Sequence, residues 1–109
     1  MVIDKEVAAA DAAVGDNIVS GHVQERVGYN RFLVACGLSG STAVGDTIIS
    51  VKVGGKEVDV IRNQETGLAI TSSLMLATRA FVKSNTLVEA EVVDAANSNP
   101  IRVRLVFVP

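Results

Sequence analysis

The chain has 109 residues, with 10 basic and 12 acidic side chains and a net charge of -2 at pH 7. This length predicts one domain, and the near-neutral charge excludes an electrostatic attraction to nucleic acid or anionic lipid. Apolar residues make up 49% of the chain, which excludes intrinsic disorder. Because no run approaches the roughly 18 apolar residues that span a bilayer, we also expect no membrane insertion.

The type of apolar residue favours β-sheet. The chain contains 19 Val, 7 Ile and 6 Thr, and it has 3 Phe, 1 Tyr and no Trp. β-branched side chains are stiff at χ1 and fit a pleated sheet better than a helix. The composition therefore predicts a sheet protein whose core is filled with small, branched side chains.

Residues 1–15 are rich in alanine and end at Gly15. One interpretation is a short helix that Asp4 caps and that runs to Val14, with Gly15 as its C-terminal stop. The other is an extended arm that leaves the domain and packs on a neighbouring subunit. Both interpretations divide the chain into an N-terminal arm or short helix, 1–15, and a β-sandwich domain, 16–109.

From residue 17 onward, short runs of β-formers are broken by Gly, Asn and Ser every 8 to 12 residues, which is typical of a sandwich or barrel. The predicted architecture is all-β, a two-layer antiparallel sandwich of the jelly-roll or Greek-key type. Its eight predicted strands are 17–27, 30–38, 46–53, 56–62, 68–76, 78–84, 86–94 and 101–108.

A two-residue turn at Gly54 and Gly55 predicts a hairpin, because glycine tolerates the positive φ values of a type I′ turn. A register centred on this turn places apolar residues opposite each other on one face and opposite charges on the other. The predicted pairs are Val51 with Val58, Ile49 with Val60, and Lys52 with Glu57.

A second hairpin is predicted around a loop at 95–100. Its register would pair Val92 with Val103, Ala90 with Leu105, Val88 with Phe107, and Glu91 with Arg104. The alternative is that these two strands lie in opposite sheets and face the same core, since alternation alone does not separate the two arrangements.

The sequence has no group of residues with the types and spacing of a catalytic, cofactor or metal site. His22 is the single histidine, and its alternation with apolar positions is typical of a surface or edge-strand residue. Cys36, the single cysteine, is expected to be a buried, inert thiol. The glycine-rich stretch 37–42 lacks the Lys of a phosphate-binding loop and is interpreted as a strand connection. We therefore expect no enzyme, no cofactor and no metal.

Candidate interface residues come from two segments. Tyr29 and Arg31 are residue types favoured in protein interfaces, and the alternative for this segment is an ordinary turn. Phe32 and Phe107 are expected in the core. Arg102 and Arg104 share one strand face with Val106 and Val108. Either Glu89 and Glu91 pair with the two arginines on a solvated face, or this face is buried against another subunit. The candidate interface residues are Tyr29, Arg31, Arg102, Arg104, Val106 and Val108.

The strand pattern over 17–109, especially the segments 45–51 and 99–109, resembles that of small single jelly-roll proteins that build icosahedral virions. The resemblance implies a non-enzymatic capsid, penton or decoration subunit, located in the virion and made in the host cytoplasm. Its partners would be other copies of itself and further virion proteins. Two adjacent hairpins would instead suit another Greek-key sandwich, since most successive strands of a jelly roll change sheets.

A different class of function is a small ligand-binding or carbohydrate-binding sandwich module of a larger complex. It predicts a monomer with a pocket or an aromatic groove, and the shortage of aromatic residues argues against the sugar-binding form.

The first residues, 1–6, lack the basic and apolar regions of a secretion signal, so we expect a protein that is made in the cytosol and not exported by that route.

Overall fold

The computed structural model describes residues 1–71 and 74–109, and it confirms an all-β, two-layer antiparallel sandwich. Seven strands form the two sheets in this described part of the chain, and a 3₁₀ turn lies at Ala9–Asp11. The strands are β1 (Val2–Val7), β2 (Arg31–Gly40), β3 (Ile48–Val53), β4 (Lys56–Arg62), β5 (Leu76–Val82), β6 (Val88–Asp94) and β7 (Ile101–Val108).

The first sheet has the strand order β1-β7-β2-β5, and the second has the order β4-β3-β6. The pairing is nested along the chain, since β1 pairs with β7, β2 pairs with β5, and β3 pairs with β4. Four of the connections between consecutive strands cross from one sheet to the other, and the β3–β4 connection is a hairpin. Each sheet therefore contributes one apolar face to a shared core.

The core consists of small, branched side chains, as the composition predicted. Fully buried residues come from both sheets, and Phe107 is the aromatic residue among them. Val88, Ala90 and Val92 of β6 face the core from the second sheet, while the alternate residues of β7 face it from the first. The predicted β6–β7 hairpin is thus wrong, and the alternative of two strands in opposite sheets is confirmed. A shared core produces the same alternation as direct pairing would.

The N-terminal residues do not form the helix of the first interpretation. Val2–Val7 is a strand that pairs antiparallel with β7 in this chain's own first sheet, and Ile3 and Val7 are buried in the core. The segment is extended, as in the second interpretation, but it packs within its own domain. Burial of alternate residues, Ile3 and Val7 with Lys5 between them, overrides the helix propensity of the alanines that follow.

The predicted strand at 17–27 is also wrong, because this part of the chain is a series of turns. We call residues 15–27 the edge segment, since it runs along the free side of β6. Asn17 forms an isolated bridge with Glu91, and backbone hydrogen bonds join Gly15 to Val92 and Ile18 to Ala90. The segment thus occupies the place of a fourth strand in the second sheet without regular pairing.

The hairpin at Gly54 and Gly55 is confirmed, and both glycines have positive φ, 61° and 81°. Lys52 lies opposite Glu57 as predicted, but the register then shifts by one residue. The extra residue is Val58, so the predicted pairs of Val51 with Val58 and of Ile49 with Val60 are wrong. Ile49 instead lies opposite Ile61. A bulge reverses which residues face inward, and here it turns Ile61 into the core and Val60 to solvent.

The predicted strand 68–76 is wrong at each described position before Leu76. Residues 68–71, 74 and 75 lie outside the strands, and β5 begins at Leu76. The remaining two positions of this predicted strand, 72 and 73, lie outside the described residues.

Candidate functional site

On the outer face of the first sheet, residues that lie opposite one another on neighbouring strands form rows across the sheet. Phe81, Phe32 and Val108 lie side by side on β5, β2 and β7. In the next row, Ala77, Ala35, Val106 and Val2 follow one another from β5 to β1. We call Val2, Phe32, Phe81, Val106 and Val108 the apolar patch. Their side chains point away from the core because each row alternates with buried residues.

The apolar patch is exposed to solvent. The exposed fractions are 41% for Val2, 40% for Phe32, 52% for Phe81 and 42% for Val108, while Val106 is half-buried. The Phe32 and Phe81 ring centroids are 5.4 Å apart with an interplanar angle of 59°. A shallow depression of about 330 Å³ lies among Phe32, Val34, Arg79 and Val108. Contiguous apolar surface of this kind is typical of interaction sites.

The other half of the same face is covered by residues that lie between β4 and β5. The Ser39 hydroxyl donates a hydrogen bond to the Leu68 carbonyl at 3.1 Å, and Arg104 donates one to the Ile70 carbonyl at 3.0 Å. A Cβ at Gly37 would lie 2.6 Å from the Met75 sulfur, so Met75 packs directly on β2 there. The chain therefore covers the polar rows of this face itself and leaves the apolar rows open.

Arg102 and Arg104 bind one carboxylate, that of Asp4 on β1. Arg102 Nε donates to Asp4 Oδ1 at 2.7 Å, and Arg104 Nη2 donates to Asp4 Oδ2 at 2.7 Å. Partial burial alone would raise the pKa of Asp4, but the hydrogen bonds and charges of the two arginines hold it below its ordinary value. The prediction that Glu89 and Glu91 pair with these arginines is wrong, since both glutamates lie in the other sheet and Glu91 binds Lys52.

The arginines are thus internal to the domain. They fasten β1 to β7 across the outer face, and about two-thirds or more of each side chain is buried in this arrangement. Val106 and Val108 do share their strand face, as predicted. The structure separates the predicted set into a satisfied ionic cluster and two residues of the apolar patch.

Tyr29 and Arg31 are not brought together on one surface. Tyr29 is exposed, and its hydroxyl contacts the sulfur of Met1. Arg31 is fully buried, with Cζ 3.9 Å from the Phe107 ring centroid and Nη2 donating to the Gln24 carbonyl at 2.6 Å. Burial lowers the pKa of Arg31, and its Nε atom has no partner among the described residues. The expectation of an exposed Arg31 is therefore wrong, because the strand begins at this residue and directs it inward.

Phe32 is the aromatic residue whose predicted position is wrong. It was expected in the core, but β2 alternation places it outward, opposite Val108 and Phe81. With Arg31 and Leu33 directed inward, Phe32 must face outward. The alternation of residues along β2 could have revealed the outward position of Phe32, but only if the first residue of the strand had been known.

The other candidate groups are inert or satisfied. Cys36 is fully buried as predicted, and burial raises the pKa of its thiol to about 12. His22 is half-buried in a turn of the edge segment, where its Nδ1 accepts a hydrogen bond from the Gln24 backbone N–H. Gly37–Gly40 belongs to β2, and the strand connection begins only at Ser41.

Within residues 1–71 and 74–109, no three His, Cys, Asp or Glu side chains are grouped in a way that would hold a metal ion. No helix in this described part of the chain is long and apolar enough to cross a membrane.

The apolar patch is therefore the strongest candidate for a functional surface. No protein-family model, curated protein or solved structure matches the chain.

Proposed function

We propose that this protein is a structural assembly subunit that associates with copies of itself by burying the apolar patch and strand edges of the first sheet. The finer form of the proposal is a capsid, penton or decoration subunit of a virion, which would also contact other virion proteins. The work of such a subunit is association, and its energy comes from apolar surface removed from water.

The observation that carries the proposal is that the chain covers half of one sheet face and leaves the apolar half open. An interface of the usual size hides about 800 Å² on each partner, which is about 15% of the chain's 5310 Å² surface. The five residues of the apolar patch come from all four strands of the first sheet. A partner that packs on them therefore contacts every strand of this sheet.

The strand order supports the virion form of the proposal. With the edge segment counted as the second of eight elements, the nested pairs are first with last, second with seventh, third with sixth, and fourth with fifth. This is the arrangement expected of a jelly roll, in which two Greek keys form a two-sheet sandwich and most successive strands change sheets. Fold alone does not specify function, so the apolar patch carries the argument for assembly.

Sedimentation velocity over a wide concentration range tests the proposal. The wild-type chain is expected to form a discrete oligomer as concentration rises, and Phe32→Lys is expected to weaken association because it places a charge at the centre of the apolar patch. Val23→Lys is the matched control, since Val23 is 80% exposed in the edge segment and outside the patch. A wild-type chain that stays monomeric at the highest concentration would contradict the proposal.

The virion form has its own test. Electron microscopy of concentrated protein, alone and with other proteins of the same particle, is expected to reveal rings or closed shells. The competing function, a monomeric ligand-binding module, predicts a persistent monomer and saturable binding of a small molecule near Arg79 in the shallow depression.

A further inference from the structure

The two sheets have four free sides, and the unpaired N–H and C=O groups of an exposed edge strand are a template for pairing with another chain. The first sheet ends in β1 and β5, and the second ends in β4 and β6. The four edges differ in how strongly this chain blocks them.

The β6 edge is covered. Residues of the edge segment form hydrogen bonds with the β6 backbone along its length. At one end the Gly15 N–H donates to the Val92 carbonyl at 2.8 Å, and at the other the Val88 N–H donates to the Glu25 carbonyl at 2.8 Å. In addition, the Asn17 side chain accepts a hydrogen bond from the Ala90 N–H at 3.0 Å. This edge has little left to offer a partner.

The β4 and β1 edges are protected by charge. Four of the seven residues of β4 are charged, namely Lys56, Glu57, Asp59 and Arg62. The Asp59 carboxylate also accepts a hydrogen bond from the Val60 N–H at 2.8 Å, next to the bulge at Val58. In β1, Lys5 lies on the core-facing side between Ile3 and Val7. An inward-pointing charge on an edge strand disfavours continued pairing.

The β5 edge has the weakest protection. Arg79 is the one charged residue among its seven, while Leu76 and Phe81 are exposed. Among the described residues, no backbone hydrogen bond from a turn or loop reaches 76–82. The edge also adjoins the apolar patch, because Phe81 belongs to both. A partner strand at β5 would extend the sheet and the patch together.

We propose that two copies of this chain pair antiparallel through β5, about a two-fold axis that passes beside Ala80. This inference rests on the proposed self-association and names one strand edge through which it occurs, while the apolar patches stay open for contacts with further copies. The result is a continuous eight-stranded sheet across the dimer, with both apolar patches on the same face of the dimer sheet.

Charge determines this register. A two-fold axis at Ala80 places Arg79 opposite Phe81 of the second copy, twice, so that each guanidinium lies against an aromatic ring. An axis at Arg79 would oppose two arginines, and an axis at Phe81 would oppose Arg79 and Lys83. Like charges directly opposite are destabilising. β5 has an extra residue at 78–79 relative to β2, so the paired stretch is short and centres on 79–81.

Sedimentation equilibrium of three variants tests the inference. Phe81→Lys places a lysine opposite Arg79 of the second copy and is expected to weaken the dimer about thirtyfold, the effect of a central interface residue. Val60→Lys is the matched control, because Val60 is 46% exposed on the β4 edge and Phe81 is 52% exposed on the β5 edge. It is expected to leave the dissociation constant unchanged. The double variant Arg79→Glu, Phe81→Lys restores opposite charges and is expected to regain most of the affinity.

The outcomes separate this inference from the proposed function. If the wild-type chain associates, and Phe32→Lys weakens this association while Phe81→Lys does not, the assembly proposal stands and the proposed pairing through β5 is wrong. A double variant as weak as Phe81→Lys overturns the register. A wild-type chain that is monomeric, or that associates only with a different protein, overturns both. Amide hydrogen exchange at 78–82, slowed at high concentration, is the second readout if a variant folds poorly.

Discussion

Replacement of Gly40 by alanine tests the packing at the end of β2. Gly40 has a φ of +96°, which places it in the left-handed region that favours glycine. A Cβ there would overlap the Pro100 carbonyl oxygen and lie 2.8 Å from the Ile101 Cα, and these backbone atoms belong to the residue before β7 and to its first residue. Because backbone cannot rotate away, Gly40→Ala must move β2 from β7.

Gly45→Ala is the matched control. Gly45 also has a positive φ, +83°, but no described atom lies within 4 Å of the Cβ position. It should therefore carry only the conformational penalty of about 1–2 kcal/mol. Gly40→Ala should add an overpacking cost of about 1–3 kcal/mol, for a total of about 2–5 kcal/mol. Urea unfolding of the wild type and both variants gives these free energies. Equal losses for the two variants would refute the packing described here.

Three further predictions concern groups inside the domain. Asp4→Asn should lower the free energy of unfolding at pH 7 by about 1.5–3 kcal/mol. Since the folded pKa of Asp4 is lowered from 3.8, this loss should be constant above about pH 5 and shrink as pH falls below about 4. Urea titrations at several pH values measure the loss, and a loss that does not depend on pH would refute the pairing with Arg102 and Arg104. Asn63→Ala removes three hydrogen bonds of a buried amide, to Thr47 N–H and to two backbone carbonyls, and should cost about 2–4 kcal/mol in urea unfolding; a loss below about 0.5 kcal/mol would contradict the described network. Cys36 should react with a thiol reagent only at the rate of unfolding, and fast labelling of the native protein would contradict its burial.

The all-β class and most strands were predictable, because β-branched residues and regular turn signals are local properties. The strands near 30–38, 46–53, 56–62 and 101–108 correspond to observed strands within a few residues. The turn at Gly54 and Gly55 was predictable as well, since positive φ at two successive residues strongly favours glycine.

Pairing between distant segments was not predictable. The N-terminal strand pairs with β7 nearly a whole chain length away, and nothing in residues 1–15 alone reveals that partner. The edge segment contains β-forming residues, and its composition therefore predicted a strand. In the structure it is a series of turns joined to β6 by separate hydrogen bonds. A one-residue bulge at Val58 reversed the inward side of β4.

The candidate site was only half predictable. Val106 and Val108 follow from simple alternation on β7. Phe32 and Phe81 were missed because a run of apolar residues does not reveal which of its members the sheet turns outward. Arg31 shows the reverse case, in which a charged residue is fully buried against an aromatic ring, and composition-based expectations place such a residue outside.

We propose that copies of this chain associate through the first sheet, with the β5 edge as the strand that pairs between copies. Residue-resolved amide hydrogen exchange, compared between dilute and concentrated wild-type protein, measures this most directly. Exchange should be slower at high concentration in β5 and unchanged in β4. Exchange that is independent of concentration, or protection that appears in β4 and not in β5, would contradict it.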